Sequence, residues 1–173
     1  MRLLPALVLA LAGPAAAETA EPIVVMSHPG AVALALRDRG YRAGLSRDES
    51  DRPLITSGSG GVRFDLVFFG CTGDGGCAGV LFTAGFDLAA GIGLAAMNDW
   101  NADSLVGRAY VDEECDPFVD HYVTADPLMS ATGFDALLGE WERALGDFAG
   151  FIGFGEETPG TIAMSCGTGT DAI

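Results

Sequence analysis

The chain contains no lysine, and its nine basic side chains are arginines set against 24 carboxylates in 173 residues. The resulting formal charge of −15 argues against polyanionic partners. Nucleic acid and anionic lipid would be repelled, and there are too few cations to release counterions from a phosphate backbone. Long apolar runs are missing after the first residues, so no later segment predicts a bilayer-spanning helix, which needs about 20. Histidine is scarce. His28 precedes Pro29, and His121 follows Asp120 in an expected strand, which puts those two side chains on opposite faces and makes a catalytic pair unattainable there. Ser57, Ser59 and Ser130 lack the Gly-x-Ser-x-Gly context of a nucleophile elbow. The Gly-rich segments 58–61 and 73–76 carry no phosphate-loop lysine and open no βα unit, so they read as turns. No catalytic residue, cofactor or metal is expected.

The start of the chain predicts an export signal. Arg2 supplies a basic start, residues 3–11 an apolar stretch, and Ala15-Ala16-Ala17 a small-residue cleavage motif. Cleavage after Ala17 would leave Glu18 first, make the charge one unit more negative, and deliver a periplasmic or secreted protein. No cysteine follows the motif, so a lipid anchor is not expected there. The expected organisation is a signal over 1–17, one α+β domain over 18–152 and a Gly/Thr-rich tail over 153–173.

In an oxidising compartment the cysteines read as staples. Cys71 and Cys77 bracket a short loop between two strand-like runs, and a bridge there would stabilise by on the order of 2 kcal/mol through restriction of the unfolded chain. A redox pair normally uses Cys-x-x-Cys and a zinc site wants further ligands nearby, so neither fits. Cys115 and Cys166 are candidates for a second bridge that ties down the tail, although four cysteines permit three complete pairings.

Periodicity gives the architecture. Ser27 is placed to cap a helix over 29–39 that Gly40 ends, with Val32, Ala35 and Leu36 on one face. Strands follow at 41–47 and 53–57. Val62, Phe64, Leu66 and Phe68 alternate, as do Val80, Phe82, Ala84 and Phe86, so these four strands predict an antiparallel meander. A second helix has Leu94, Met97 and Asn101 on a shared face with Trp100 beside them. A hairpin follows from 107–112 and 118–124, and a last helix carries the stripe Phe134, Leu137, Leu138, Trp141, Leu145, Phe148 and Ile152. The order α-β-β-β-β-α-β-β-α predicts helices covering an antiparallel sheet. Val67, Phe69 and Leu81, on the opposite pleat face, would form an apolar patch wherever helices leave them uncovered.

Two segments invite a metal reading. Asp99-x-Asn101-x-Asp103 begins like a calcium loop, but Ser104 stands where the glycine is needed and Tyr110 where the terminal glutamate should be. The acidic run 112–116 reads as a solvated hairpin turn. Asn98 and Asn101, three apart on a helix, are candidates to bond the backbone of a neighbouring strand, a structural motif. Arg108 and Tyr110 share a pleat face and, with Trp100, are the candidate ligand or partner contacts.

Gly40-Tyr41-Arg42-Ala43, Phe69-Gly70-Cys71 with Cys77, Asn98-Asp99-Trp100-Asn101 and Gly107-Arg108-Ala109-Tyr110-Val111-Asp112 together resemble a YbjN-type domain over about residues 25–152. The resemblance implies a type III secretion chaperone-like fold and a family of sensory transduction regulators with no established catalytic activity or active site. The expected function is an exported, non-catalytic protein-binding or chaperone-like regulatory module whose partner is another protein or a second copy, as in a homodimer. The alternative is a periplasmic small-ligand sensor holding a solute between sheet and helices near Arg108, Tyr110 and Trp100.

Overall fold

The computed structural model describes residues 20–73 and 76–155, so the expected leader over 1–17 and the tail from 156 onward, with Cys166, lie outside the described residues. In chain order the elements are β1 (Ile23–Val24), α1 (Pro29–Asp38), β2 (Gly44–Arg47), β3 (Pro53–Ser59), β4 (Val62–Phe69), β5 (Gly79–Gly85), α2 (Leu94–Asp103), β6 (Arg108–Val111), β7 (Pro117–Thr124), β8 (Met129–Ser130) and α3 (Ala131–Phe151). The chain is therefore α+β, with three helices, an antiparallel sheet in the order β2-β3-β4-β5-β7-β6, and a two-stranded sheet of β1 and β8. The meander β2 to β5 is as the alternation predicts. The later hairpin extends the same sheet, and β7 is the strand beside β5, with Val80 opposite Val123 and Ala84 opposite Val119.

Alternate residues of each strand decide which face the helices cover. Phe64, Leu66, Phe68, Val80, Phe82 and Ala84 are buried in one cluster with Val32 and Leu36 of α1, Met97 and Trp100 of α2, and Phe134, Trp141 and Phe148 of α3. All three helices thus lie on one face. Trp141 sits at the centre, its ring centroid 5.8 Å from that of Phe64 and 5.7 Å from that of Phe82. Fully burying an aromatic of this size contributes on the order of 3 kcal/mol before packing geometry is counted.

The helix ends follow local chemistry, with one correction. Pro29 opens α1, and its N-cap is His28 rather than Ser27, whose hydroxyl lies 3.1 Å from His28 Nδ1. At the other end Gly40, at φ 86°, lets its N–H reach Arg37 O while Tyr41 N–H reaches Leu36 O, the paired bonds of a Schellman cap. Ser130 caps α3 by accepting from Gly133 N–H at 3.0 Å.

Three further expectations change. The first strand of the meander begins at Gly44, not Tyr41, because the Arg37 guanidinium takes Ala43 O (Nε at 3.1 Å) and holds the preceding residues out of the sheet. Leu94 is exposed, and α2 turns Ala96, Met97 and Trp100 inward instead. β1 and β8 are too short to show any period. They exist because the start of the domain clamps the start of α3, with Ala131 N–H bonding Pro22 O at 2.8 Å and Thr132 N–H bonding the Glu21 carboxylate at 2.7 Å.

Candidate functional site

The face of the sheet away from the helices carries a row of apolar side chains at successive cross-strand positions: Leu54 opposite Val67, Val67 opposite Leu81, Leu81 opposite Tyr122. Val67 is buried yet stands outside the helix-side cluster, Leu54, Leu81 and Phe69 are half-buried, and Tyr122 is exposed. The Tyr122 and Phe118 rings lie against the two glycines that end β5. A Cβ on Gly79 would come within 2.0 Å of the Tyr122 hydroxyl, and one on Gly85 within 2.4 Å of the Phe118 ring. The Arg52 guanidinium lies 4.7 Å over the Phe69 ring.

The adjacent row is polar: Thr56, Asp65, Thr83, Asp120 and Arg108 stand opposite one another across five strands. Asp120 is only 5 % exposed; its Oδ2 accepts from Arg108 Nη2 at 3.0 Å, while its Oδ1 has no hydrogen-bond partner among the described residues. Tyr110 stacks on Phe118 at 5.3 Å and lies 5.6 Å under the Arg108 guanidinium. Burial and the Asp120 charge push the Tyr110 phenol above its ordinary pKa, against the opposing pull of a Thr83 hydrogen bond and of Arg108. A small cavity of about 240 Å³ opens between Arg63, Asp65, Thr83 and Phe118. One continuous surface therefore offers an apolar strip beside a row of hydrogen-bonding and charged groups.

The candidate contacts of the sequence divide between the two faces. Arg108 and Tyr110 belong to the open face, whereas Trp100 is buried on the helix side, 5.0 Å from Phe148, with its indole N–H donated to Gly107 O at 3.0 Å. They do not line a common pocket between sheet and helices.

Asn101 donates to Ala109 O at 3.0 Å and accepts from Ala109 N–H at 2.8 Å, so its amide pairs with the edge strand β6 as another strand would. Asn98 is exposed and its side chain makes no hydrogen bond among the described residues, which leaves Trp100 and Asn101 to dock α2. Asp99, Asn101 and Asp103 are all helical, so the calcium-like spacing does not form a loop.

Cys71 and Cys77 form a disulfide across the loop between β4 and β5. The same loop is tied to the start of α1 by Cys77 N–H to Ser27 O at 2.8 Å. Cys115 is also disulfide-bonded. The acidic turn brings ligand atoms of Asp112, Glu114 and Asp116 within 4.8 Å of one another. Two of these carboxylates already serve the backbone: Asp112 accepts from the N–H groups of Glu114 and Asp116, and Asp116 accepts from Leu88 N–H. No helix among the described residues is long and apolar enough to cross a membrane.

The buried Asp120, Gly79 and Gly85 belong to no sequence motif, because their roles arise only from cross-strand register. No curated protein matches the chain. The open sheet, the helix-side Trp100 and the Asn101 clamp nevertheless sit within residues 28–154, which match the family model YbjN, "putative bacterial sensory transduction regulator", and the chain belongs to that family.

Proposed function

We propose that the protein is an exported, non-catalytic regulatory module that binds another protein, or a second copy of itself, through the open face of its sheet. The observation that carries this reading is the apolar row Leu54, Val67, Leu81 and Tyr122 on a face to which no described helix packs. Strands spaced by about 4.8 Å, with about 3.4 Å per residue along each, make six strands a plane of roughly 25 by 20 Å. That plane, about 500 Å², is about the smallest contribution one partner makes to a specific interface, which buries about 1,000 Å² in total. The polar row would fix the orientation of the partner, and the unmet Asp120 Oδ1 favours a partner that brings a donor.

Family membership supports a regulatory role in sensory transduction. Helices on one face of an antiparallel sheet are compatible with a type III secretion chaperone-like arrangement. The disulfide-bonded Cys71, Cys77 and Cys115 support residence in an oxidising compartment, in keeping with the leader-like first residues. Two of the three serines offered by the sequence have structural employment that favours a non-catalytic reading, Ser130 capping α3 and Ser59 donating to Glu142, while the buried Ser57 hydroxyl has no partner among the described residues.

The test compares the wild type with Leu81→Asp in solution mass and in affinity capture from periplasmic extract. The expected result is self-association or one reproducible captured protein, weakened about tenfold or more by the substitution, which is worth about 1.4 kcal/mol. The melting temperature should fall by a few degrees only, because Leu81 is half-buried, so the variant stays folded at the temperature of the assay. A strictly monomeric wild type that captures nothing would remove the reading.

A further inference from the structure

Beyond the apolar row of the open face, at the end of the polar row whose Thr56 it shares, a cavity of about 680 Å³ lies between the loop that joins α1 to β2 and the turn that joins β3 to β4. Its lining runs over residues 39–42 and 56–63 and includes three of the nine arginines, Arg39, Arg42 and Arg63, but none of the 24 carboxylate side chains. For a protein of charge −15 this is an inverted local balance. We infer that the cavity is a binding site for a small anionic ligand carrying carboxylate or phosphate groups.

The three arginines have different employment. Arg39 is fixed: it donates to Ala35 O at 3.0 Å and Ala131 O at 3.2 Å, pairs with Asp135, and lies over the Phe134 ring. It supplies stationary positive charge to the wall. Arg42 is exposed and makes no hydrogen bond or ion pair among the described residues. Arg63, 70 % exposed, pairs among the described residues with Asp65 alone, at 3.1 Å, two residues along its own strand. Exposed pairs of that kind hold weakly, so Arg63 can turn to a ligand at little cost. Two guanidiniums are thus available to grip an anion through paired N–H donors.

Other groups shape the site without cancelling it. Two carboxylates bonded to lining residues are already engaged, Glu142 accepting from Tyr41 and Ser59 and Asp135 from Arg39, while Asp65 is the one that Arg63 leaves when it turns to a ligand. Tyr41, its pKa pushed up to about 12 by burial and by Glu142, stays a neutral phenol that closes one side. Ser57, 6 % exposed, lines the cavity and has a hydroxyl with no partner among the described residues. β2 stops at Gly44 opposite Thr56, so Ser57–Ser59 of β3 have a strand on one side only and their free edge borders the cavity. The size suits a small molecule, since ligand sites commonly span about 300–1,000 Å³, while the overall charge would repel a polyanionic macromolecule.

The test is calorimetric titration with citrate, inorganic phosphate and adenosine monophosphate at constant ionic strength, on the wild type and on Arg42→Ala/Arg63→Ala. Both side chains are exposed, and the double variant should melt at the wild-type temperature. Saturable binding of at least one probe, weakened about tenfold or more in the double variant, supports the site, and the identity of that probe separates a carboxylate from a phosphate ligand. Absence of saturable binding by all three probes, or binding unchanged by the double substitution, would overturn it. Leu81→Asp should leave this binding intact, which keeps the result separate from that of the open face.

Discussion

The two faces of the sheet are built from the same strands, and they differ in almost everything else. On the helix side, successive strand positions such as Phe64, Leu66 and Phe68 are all apolar and fully buried. On the other, Asp65, Val67 and Phe69 alternate with them in β4 yet form a mixed surface of apolar, charged and aromatic groups. A face used only to exclude water has no need of a buried, half-satisfied carboxylate such as Asp120. Folding energy is therefore concentrated on the helix side, and the other side carries the mixed groups through which the proposed recognition would act.

The strongest way to break that division is to remove a side chain from each face. Trp141→Ala should lose about 3–5 kcal/mol, from lost burial plus the cavity left behind, whereas Leu81→Ser should lose about 1 kcal/mol. Urea unfolding monitored by circular dichroism measures both, and comparable losses would erase the distinction. The next effect belongs to the staple. Cys71→Ser/Cys77→Ser should cost about 2 kcal/mol by releasing the unfolded loop, a difference that should vanish when both proteins are measured reduced, so that the bridge at Cys115 is open in each.

A smaller pair of variants sharpens the boundary where α2 seals the β6 edge. Asn101→Ala should cost about 1–3 kcal/mol because Ala109 loses both of its side-chain partners, while Asn98→Ala should stay within about 0.5 kcal/mol. Equal costs would mean that the amides do not divide the work as the hydrogen bonds indicate. The smallest effect is alkaline. Tyr41 holds its proton in the folded state up to about pH 12 against an ordinary value of 10. The unfolded chain therefore ionises first, stability contributed by the phenol is complete below pH 10, and it declines as pH rises toward 12. Tyr41→Phe should flatten part of that decline in unfolding measured across the same range.

Much of this was legible in the chain because burial on one face writes a period. The stripe from Phe134 to Phe148 and the alternation from Phe64 to Phe86 place α3, β4 and β5 directly. Elements without a burial pattern left no such trace. β2 is exposed along its length and β1 and β8 have two residues each, so their limits are set by Arg37, Glu21 and Thr132 acting from elsewhere in the fold. The candidate site was half visible: Arg108 and Tyr110 share a pleat face by spacing alone, but separating them from Trp100 required knowing which face the helices cover. The cavity beside Arg42 was invisible, since it joins residues 39–42 to residues 56–63 by folding and not by motif.

The most direct measurement of the central claim is site-specific photo-crosslinking from the two sides of the molecule, with the reactive group at Leu81 on the open face or at the exposed Glu140 on α3. The account predicts one dominant adduct, a partner protein or a second copy, from position 81 and about tenfold less from position 140. Equal yields at the two positions, or an adduct formed only from position 140, would contradict it.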